Sequence, residues 1–278
     1  MKAFLQRMLR YLGFEVRRYR PGETVGRKPD RPSLEGALQH LRGIGFRPAT
    51  VIDVGAAMGG FTRSCHTIFP DASYLLIEPL EEYLPALRAL ERATPKLQYR
   101  IAAASSSEVP SLLNVHDDLV GSSLYRETEE GTGVNGTPRL VTSVTIDQLV
   151  AQTGGQPPYL IKVDVQGAEL DVLAGGASAL AGAEVVLLEV SFFNFFLGAP
   201  LIGEVIGYMQ TQGFVPYDMV GLQYRPIDGA LSQADMLFVK EQGLFRQVHG
   251  YATPAQRIAQ TQNYRSYLMD ILASERVP

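Results

Sequence analysis

The segment Val51-Ile-Asp-Val-Gly-Ala-Ala-Met-Gly-Gly60 holds the residues of this chain best suited to grip a small molecule. An apolar run carries Asp53 near its end. Gly55, Gly59 and Gly60 follow, and then a helix-like stretch from Phe61 to Phe69. A buried strand, a tight glycine turn and a helix N-terminus together are the geometry with which open α/β sheets hold nucleotides. A second apolar run, Tyr74-Leu-Leu-Ile77, ends in Glu78 with Pro79 behind it. A carboxylate at the tip of a second strand is placed to accept the two hydroxyls of a ribose. The plainer reading is a strand–turn–helix whose glycines only make the turn, and Glu78 at the right distance favours binding over it.

The glycine spacing narrows the ligand. A nicotinamide-binding loop wants G-x-G-x-x-G, and Ala57 stands where its second glycine belongs. What is present is D-x-G-x-x-x-G, with an acid before the turn that would repel a pyrophosphate. A cationic, phosphate-free nucleoside such as S-adenosylmethionine (SAM) suits it better. Backbone close to Gly55, with Ala56 next to it, can approach the methionine moiety.

Several elements must position this loop. The chain has 278 residues, 46 % hydrophobic and 19 % charged, which allows one α/β unit with additions and an ample core. A net charge of −4 gives no reason to expect nucleic acid as partner. Cys65 is the only cysteine, so no internal disulfide or thiolate metal cluster can form, and its expected place is the buried face of the first domain helix. No secretory signal or membrane-spanning run is read, which makes a cytoplasmic location the default.

Residues 1–47 read as an N-terminal extension. Phe4, Leu5, Met8, Leu9 and Leu12 recur at helical spacing among Lys2, Arg7, Arg10, Arg17 and Arg18. Such a basic amphipathic helix can make peripheral contact with an anionic membrane, pack on its own domain, or meet a second subunit in a homo-oligomer. A linker rich in Pro, Gly and charge follows from Arg20 to Pro32, and Ser33 caps a lead-in helix, Leu34 to Ile44.

Residues 48–242 alternate apolar runs with helical patterns, which argues for a parallel sheet covered by helices. The strands expected are Val51–Val54, Tyr74–Ile77, Leu97–Ala102, Tyr159–Asp164, Val185–Val190, Phe214–Tyr217 and Met236–Lys240. The expected architecture is α/β, a Rossmann-like, doubly wound, mostly parallel seven-stranded sheet with a C-terminal antiparallel hairpin, plus the N-terminal helical extension. A polar, glycine-rich region from Ser105 to Pro138 interrupts the alternation before Leu140–Val144. Residues 243–278 form a tail with a weak helical pattern that docks on the domain or on a partner chain.

Three blocks carry a family likeness. With Asp53-Val-Gly-Ala56, Lys162-Val-Asp-Val-Gln-Gly-Ala-Glu169 and Leu188-Glu-Val190, the chain resembles the FkbM family of SAM-dependent methyltransferases, most of which are associated with O-methylation. Val144-Thr-Ile-Asp147 and Gln233-Ala-Asp-Met-Leu-Phe-Val239 extend the likeness, which covers about Gly45 to Lys240. The resemblance implies a Rossmann-like methyltransferase fold with SAM held by Asp53, Gly55 and the turn through Gly59. Glu78 would then hold its ribose, and Ala102 to Ser105 would line the adenine side.

Methyl transfer to a hydroxyl needs alignment and removal of the hydroxyl proton. Asp164 ends a strand, with Gly167 just beyond to let the backbone turn, and is the first candidate base. Glu189 ends the neighbouring strand. The two carboxylates could share a divalent ion that lowers the hydroxyl pKa, or act without metal with Asp164 as base and Glu189 orienting; the metal-free version is preferred. The plainer reading has Asp164 capping the next helix and Glu189 pairing with Lys162. Glu169 is assigned to the helix start. His116, in Leu113-Asn-Val-His-Asp-Asp-Leu-Val-Gly-Ser-Ser-Leu124, is the runner-up base. By resemblance, Ser122 and Ser123 belong to a wall of the cleft. The aromatics of Phe192 to Phe196 could close over a sugar ring, with Asn194 offering an amide.

The reading is therefore a SAM-dependent O-methyltransferase acting on a hydroxyl of a sugar, glycan or glycosylated natural product. Two alternatives stand beside it, a nicotinamide-dependent oxidoreductase on the same kind of sheet and a non-catalytic, membrane-associated partner protein.

Overall fold

The structure, a computed structural model, describes residues 32–274. The expected basic amphipathic helix and nearly all of the linker lie outside the described residues, and so does the membrane or subunit contact drawn from them. Among the described residues no helix is long and apolar enough to cross a membrane.

Helix α1 spans Leu34–Ile44. The Ser33 hydroxyl accepts the Gly36 N–H at 3.1 Å, and Gly45 closes the helix in the left-handed region at φ 112°. The chain then alternates β1 (Thr50–Val54), α2 (Gly60–Ile68), β2 (Ser73–Glu78), α3 (Leu84–Ala93) and β3 (Leu97–Ile101). All five residues of β1 are buried, as expected for a parallel strand covered on both faces.

The polar interruption is more ordered than its composition suggests. Two short strands, β4 (Ala103–Ala104) and β5 (Ser111–Val115), are followed after a helical turn by β6 (Thr137–Val141) and β7 (Ser143–Val144). β5 and β6 pair antiparallel with Asn114 opposite Pro138, while β4 and β7 form a small parallel pair. The stretch Leu140–Val144, where regular pattern returns, is thus divided between two strands belonging to separate pairs.

Regular alternation resumes with α4 (Ile146–Thr153), β8 (Tyr159–Val163), α5 (Glu169–Ala174), α6 (Ala177–Gly182), β9 (Ala183–Ser191) and α7 (Ile202–Thr211). The hairpin β10 (Phe214–Tyr224) and β11 (Leu231–Lys240) completes the sheet. Both of its strands run further toward the hairpin turn than the apolar pattern marks. The seven strands lie in the order β10-β11-β9-β8-β1-β2-β3. β11 is inserted antiparallel between β9 and β10, and the other neighbouring pairs from β9 to β3 are parallel.

Two apolar cores cover the sheet. One joins α1, α2 and α3 to Val51, Leu160, Leu187 and Leu237, with Cys65 fully buried in it as expected. The other joins α4 to α7 to Ile52, Ile161, Val186 and Phe238. Each buried Leu, Ile or Phe of these layers contributes about 1.5–3 kcal/mol, enough in number to offset several buried carboxyl groups at the sheet edge. The tail helix α8 (Pro254–Ser274) is not covered in this way, with Tyr264 and Leu268 exposed.

Candidate active site

The connection from β1 leads to β2 on one side, while β8 lies on the other. This is the point where an open α/β sheet leaves a crevice outside its carboxyl ends. A cavity of about 380 Å³ occupies it, walled by the ends of β1, β2 and β8. Gly55 is at φ +74°, and a Cβ there would collide with the Asp164 carbonyl oxygen. A glycine is therefore required for β1 and β8 to exit side by side. Gly59 is also in the left-handed region, at φ +77°, with only the flexible end of Leu90 where its Cβ would be, and it caps α2 rather than lining the cavity.

Glu78, Pro79, Leu80 and Tyr83 form one end, with Ala103 and Ala104 across from them. Glu78 is 4 % exposed. Its Oε2 accepts the Ala57 N–H at 2.8 Å and its Oε1 accepts the Leu80 N–H at 2.9 Å. Burial raises its pKa to about 7 against the lowering effect of those two donors. A carboxylate has about four acceptor positions, so two bonds leave capacity for a ligand's hydroxyls.

The other end is built by β8, β9 and the hairpin. Three strand spacings separate β2 from β9, roughly 14 Å along the sheet edge. Asp164 follows β8, and its Oδ2 accepts from Lys162 Nζ at 3.0 Å. The Gln166 Nε2 amide bridges the two candidate carboxylates, 2.9 Å from Asp164 Oδ1 and 2.8 Å from Glu189 Oε2. Gln166 is held at φ +56°, an unfavourable conformation for a side-chain-bearing residue, and Ser123 Oγ donates to its carbonyl at 2.6 Å. Glu189 also accepts from Gln223 Nε2 at 3.0 Å and Gln233 Nε2 at 2.8 Å. Burial, then the carboxylates of Asp164, Glu169 and Asp235, push the pKa of Glu189 upward, while three amide donors favour its anion. Glu189 does not pair with Lys162, whose partner is Asp164.

Beneath the cavity floor lies a buried charged row. Asp53, Lys162 and Leu187 are neighbours across β1, β8 and β9. Asp53 is fully buried and accepts from Thr62 Oγ1 at 2.7 Å through Oδ2. It is not among the residues that line the cavity, and it stands beside Lys162 across the β1–β8 pair. Burial raises the Asp53 pKa, opposed first by Lys162. Burial lowers the Lys162 pKa, but Asp164 and Asp53 outweigh it and hold it well above the ordinary lysine value. Glu169 serves the start of α5 as expected, accepting from Gly167 N–H at 3.0 Å and Val165 N–H at 3.2 Å.

Other residues fall away from the wall. Ala56 and Ala102 are buried beside it, whereas their successors Ala57, Ala103 and Ala104 line it. Ser122 lines it and accepts from the His116 N–H, but Ser123 is fully buried and acts through Gln166. His116 is not brought to the cavity. Its ring packs on Gly121, with Nδ1 4.0 Å from Glu127 Oε1. The aromatic segment does not close over the cavity either: Phe196 is core, and Phe193 stacks with Arg225 at 3.8 Å. Gln166, Gln223 and Gln233 are site residues that sequence reasoning missed. Only Gln166 and Gln233 stood in blocks it singled out.

Among the described residues no group of three or more His, Cys, Asp or Glu side chains is placed to hold a metal ion. A donated amide N–H lies between Asp164 and Glu189, so this arrangement does not present their facing oxygens together to a shared cation.

No match was found among curated proteins. Solved structures include several methyltransferases of similar course. The methyltransferase FkbM from Methylobacillus flagellatus KT is 16 % identical over 68 % of this chain and 43 % of its own, with a TM-score of 0.43. This chain thus spans less than half the length of that protein. Precorrin-6y C5,15-methyltransferase from Geobacter metallireducens GS-15 is 8 % identical over 80 % of this chain and 93 % of its own, at 0.42. The 1,6-didemethyltoxoflavin-N1-methyltransferase of Burkholderia thailandensis, solved with S-adenosylhomocysteine, is 12 % identical over 74 % and 76 %, at 0.39. The family model of the methyltransferase FkbM domain matches residues 53–216, from Asp53 on β1 to the start of β10. The chain belongs to the FkbM methyltransferase family.

Proposed function

We propose that this protein is a SAM-dependent O-methyltransferase acting on a hydroxyl of a sugar, glycan or glycosylated natural product. The observation that carries the reading is the charge of the cavity. Glu78, Asp118, Asp164 and Glu189 line it, and among the described residues no Lys, Arg or His does. A sulfonium nucleoside finds complementary charge there, whereas the pyrophosphate of a nicotinamide cofactor would meet carboxylates and no cation.

The residues present fit SAM. Glu78 retains acceptor capacity for ribose hydroxyls, and the small side chains of Ala103 and Ala104 leave room for a flat base. SAM supplies an electrophilic methyl group on a sulfonium centre. Asp164 takes the proton from the acceptor hydroxyl as general base, at the strand end opposite the Glu78 side of the switch point. Lys162 holds the Asp164 carboxylate in place, and Gln166 fixes its second oxygen. Three glutamine amides around Glu189 suit an acceptor rich in hydroxyls. Incubation with methyl-labelled SAM and a panel of glycosides and glycosylated products tests the reading. Label is expected in a hydroxylated acceptor, and label only in nitrogen or carbon acceptors would overturn the O-methyl assignment.

A further inference from the structure

The acceptor end of the cavity carries a second piece of information, the charge its ligand must have. Gln166, Gln223 and Gln233 come from three separate elements, and each donates Nε2–H to Glu189 at 2.8, 3.0 and 2.8 Å. Glu189 is only 8 % exposed and acts as the hub that fixes the three amides. All three glutamines line the cavity, and among the described residues no hydrogen bond engages their Oε1 atoms. Each therefore keeps a full carbonyl acceptor for a ligand's O–H.

The same end is short of positive charge. Asp164 and Glu189 are on the wall, and Asp235 stands opposite Glu189 in the β9–β11 register. Lys162 is committed to Asp164, with its side chain 10 % exposed. Arg225, the basic residue next along from Gln223, is bound at 2.6 Å to Asp228 and stacked on Phe193. A phosphate or carboxylate on the acceptor would be desolvated against Asp164 and against a Glu189 whose three amide donors favour its anion, with no cation to receive it.

Resting on the methyltransferase reading, we propose that Gln166, Gln223 and Gln233, fixed by Glu189, form a subsite for an uncharged polyhydroxylated ring and reject acceptors bearing phosphate or carboxylate. Nucleotide sugars, sugar phosphates and uronates are excluded by this subsite, and neutral glycosides are admitted. Methylation then belongs after the sugar has been transferred from its activated, phosphorylated donor.

Ligand-observed NMR on the full chain tests this, with and without saturating S-adenosylhomocysteine. The probes are methyl hexopyranosides, the matched methyl hexopyranosiduronates and the matched hexose 6-phosphates. The neutral probes are expected to bind, with both anionic sets weaker by at least about tenfold. Gln223→Leu with Gln233→Leu should weaken the neutral probes by about tenfold. Gln223→Lys should let the uronate bind, a gain that a merely misfolded variant cannot show. Equal or tighter binding of an anionic probe, no binding of any neutral hexoside, or indifference to the glutamine substitutions would each overturn the proposal. Calorimetry with S-adenosylhomocysteine scores the cofactor reading separately, and the probe comparison without it stands if that reading fails.

Discussion

Lys162 Nζ lies 3.0 Å from Asp164 Oδ2, and Asp53 stands directly opposite Lys162 across the β1–β8 pair. One ammonium thus serves a carboxylate at the cavity wall and another sealed beneath it. Removing it leaves a fully buried Asp53 with no counter-charge. Lys162→Met should therefore destabilise the fold by about 3–5 kcal/mol in urea unfolding, and adding Asp53→Asn should recover part of that loss. An additive double variant would contradict the coupling.

Asp164 is the base in this account, and its removal should separate chemistry from binding. Asp164→Asn retains an oxygen for Gln166 but cannot take the hydroxyl proton. Labelled methyl transfer to a neutral glycoside should fall by about 10²–10⁴-fold, with affinity for S-adenosylhomocysteine largely retained. Near-wild-type transfer would move the base elsewhere. His116→Ala should leave transfer close to wild type, because its ring does not reach the cavity.

The fold was largely legible because parallel strands announce themselves as short apolar runs, and Glu78 and Asp164 were found at the ends of such runs. Glu189 was found the same way, although β9 continues to Ser191. What local pattern could not supply was which way a side chain faces. Asp53 sits in a strand buried on both faces, so no alternation marks its side as the inner one. Gln223 was out of reach for a different reason. It reaches Glu189 across β11, which lies between β9 and β10, and the β10–β11 register shifts between Val220 and Gln223. The pattern beyond Tyr217 is broken by Asp218 and Gly221, which hides the length of β10.

Four carboxyl groups, Glu78, Glu169 and Glu189 buried and Asp235 half-buried, are expected to make stability depend on pH. Burial raises Glu78 and Glu169 to about 7 and Asp235 to about 6, and it moves Glu189 upward as well. Their ordinary values are 4.5 for Glu and 3.8 for Asp, so the folded state holds more protons than the unfolded chain between these limits. Their stabilising protonation is complete below the unfolded values and is lost as pH rises through the folded ones. Each proton contributes at most about 1.4 kcal/mol per pH unit. Thermal unfolding should show Tm falling from pH 5 to pH 8, and Asp235→Asn should flatten the lower part of that slope. A Tm that rises across the window would contradict it.

The Gln166 bridge makes a prediction about metals. Its amide N–H lies between Asp164 and Glu189, where a shared divalent ion would have to sit. Transfer rates should be unchanged by EDTA and by added Mg²⁺. Loss of turnover in chelator with recovery on Mg²⁺ would show that Gln166 rotates away to admit an ion.

The most direct test of the central claim is a calorimetric titration of the full chain with S-adenosylhomocysteine, repeated for Glu78→Gln and with NADH as comparison. A saturable one-site isotherm is expected for the wild type, weakened about 10–100-fold by Glu78→Gln, with no heat from NADH. Saturable binding of NADH with none of S-adenosylhomocysteine would contradict the account.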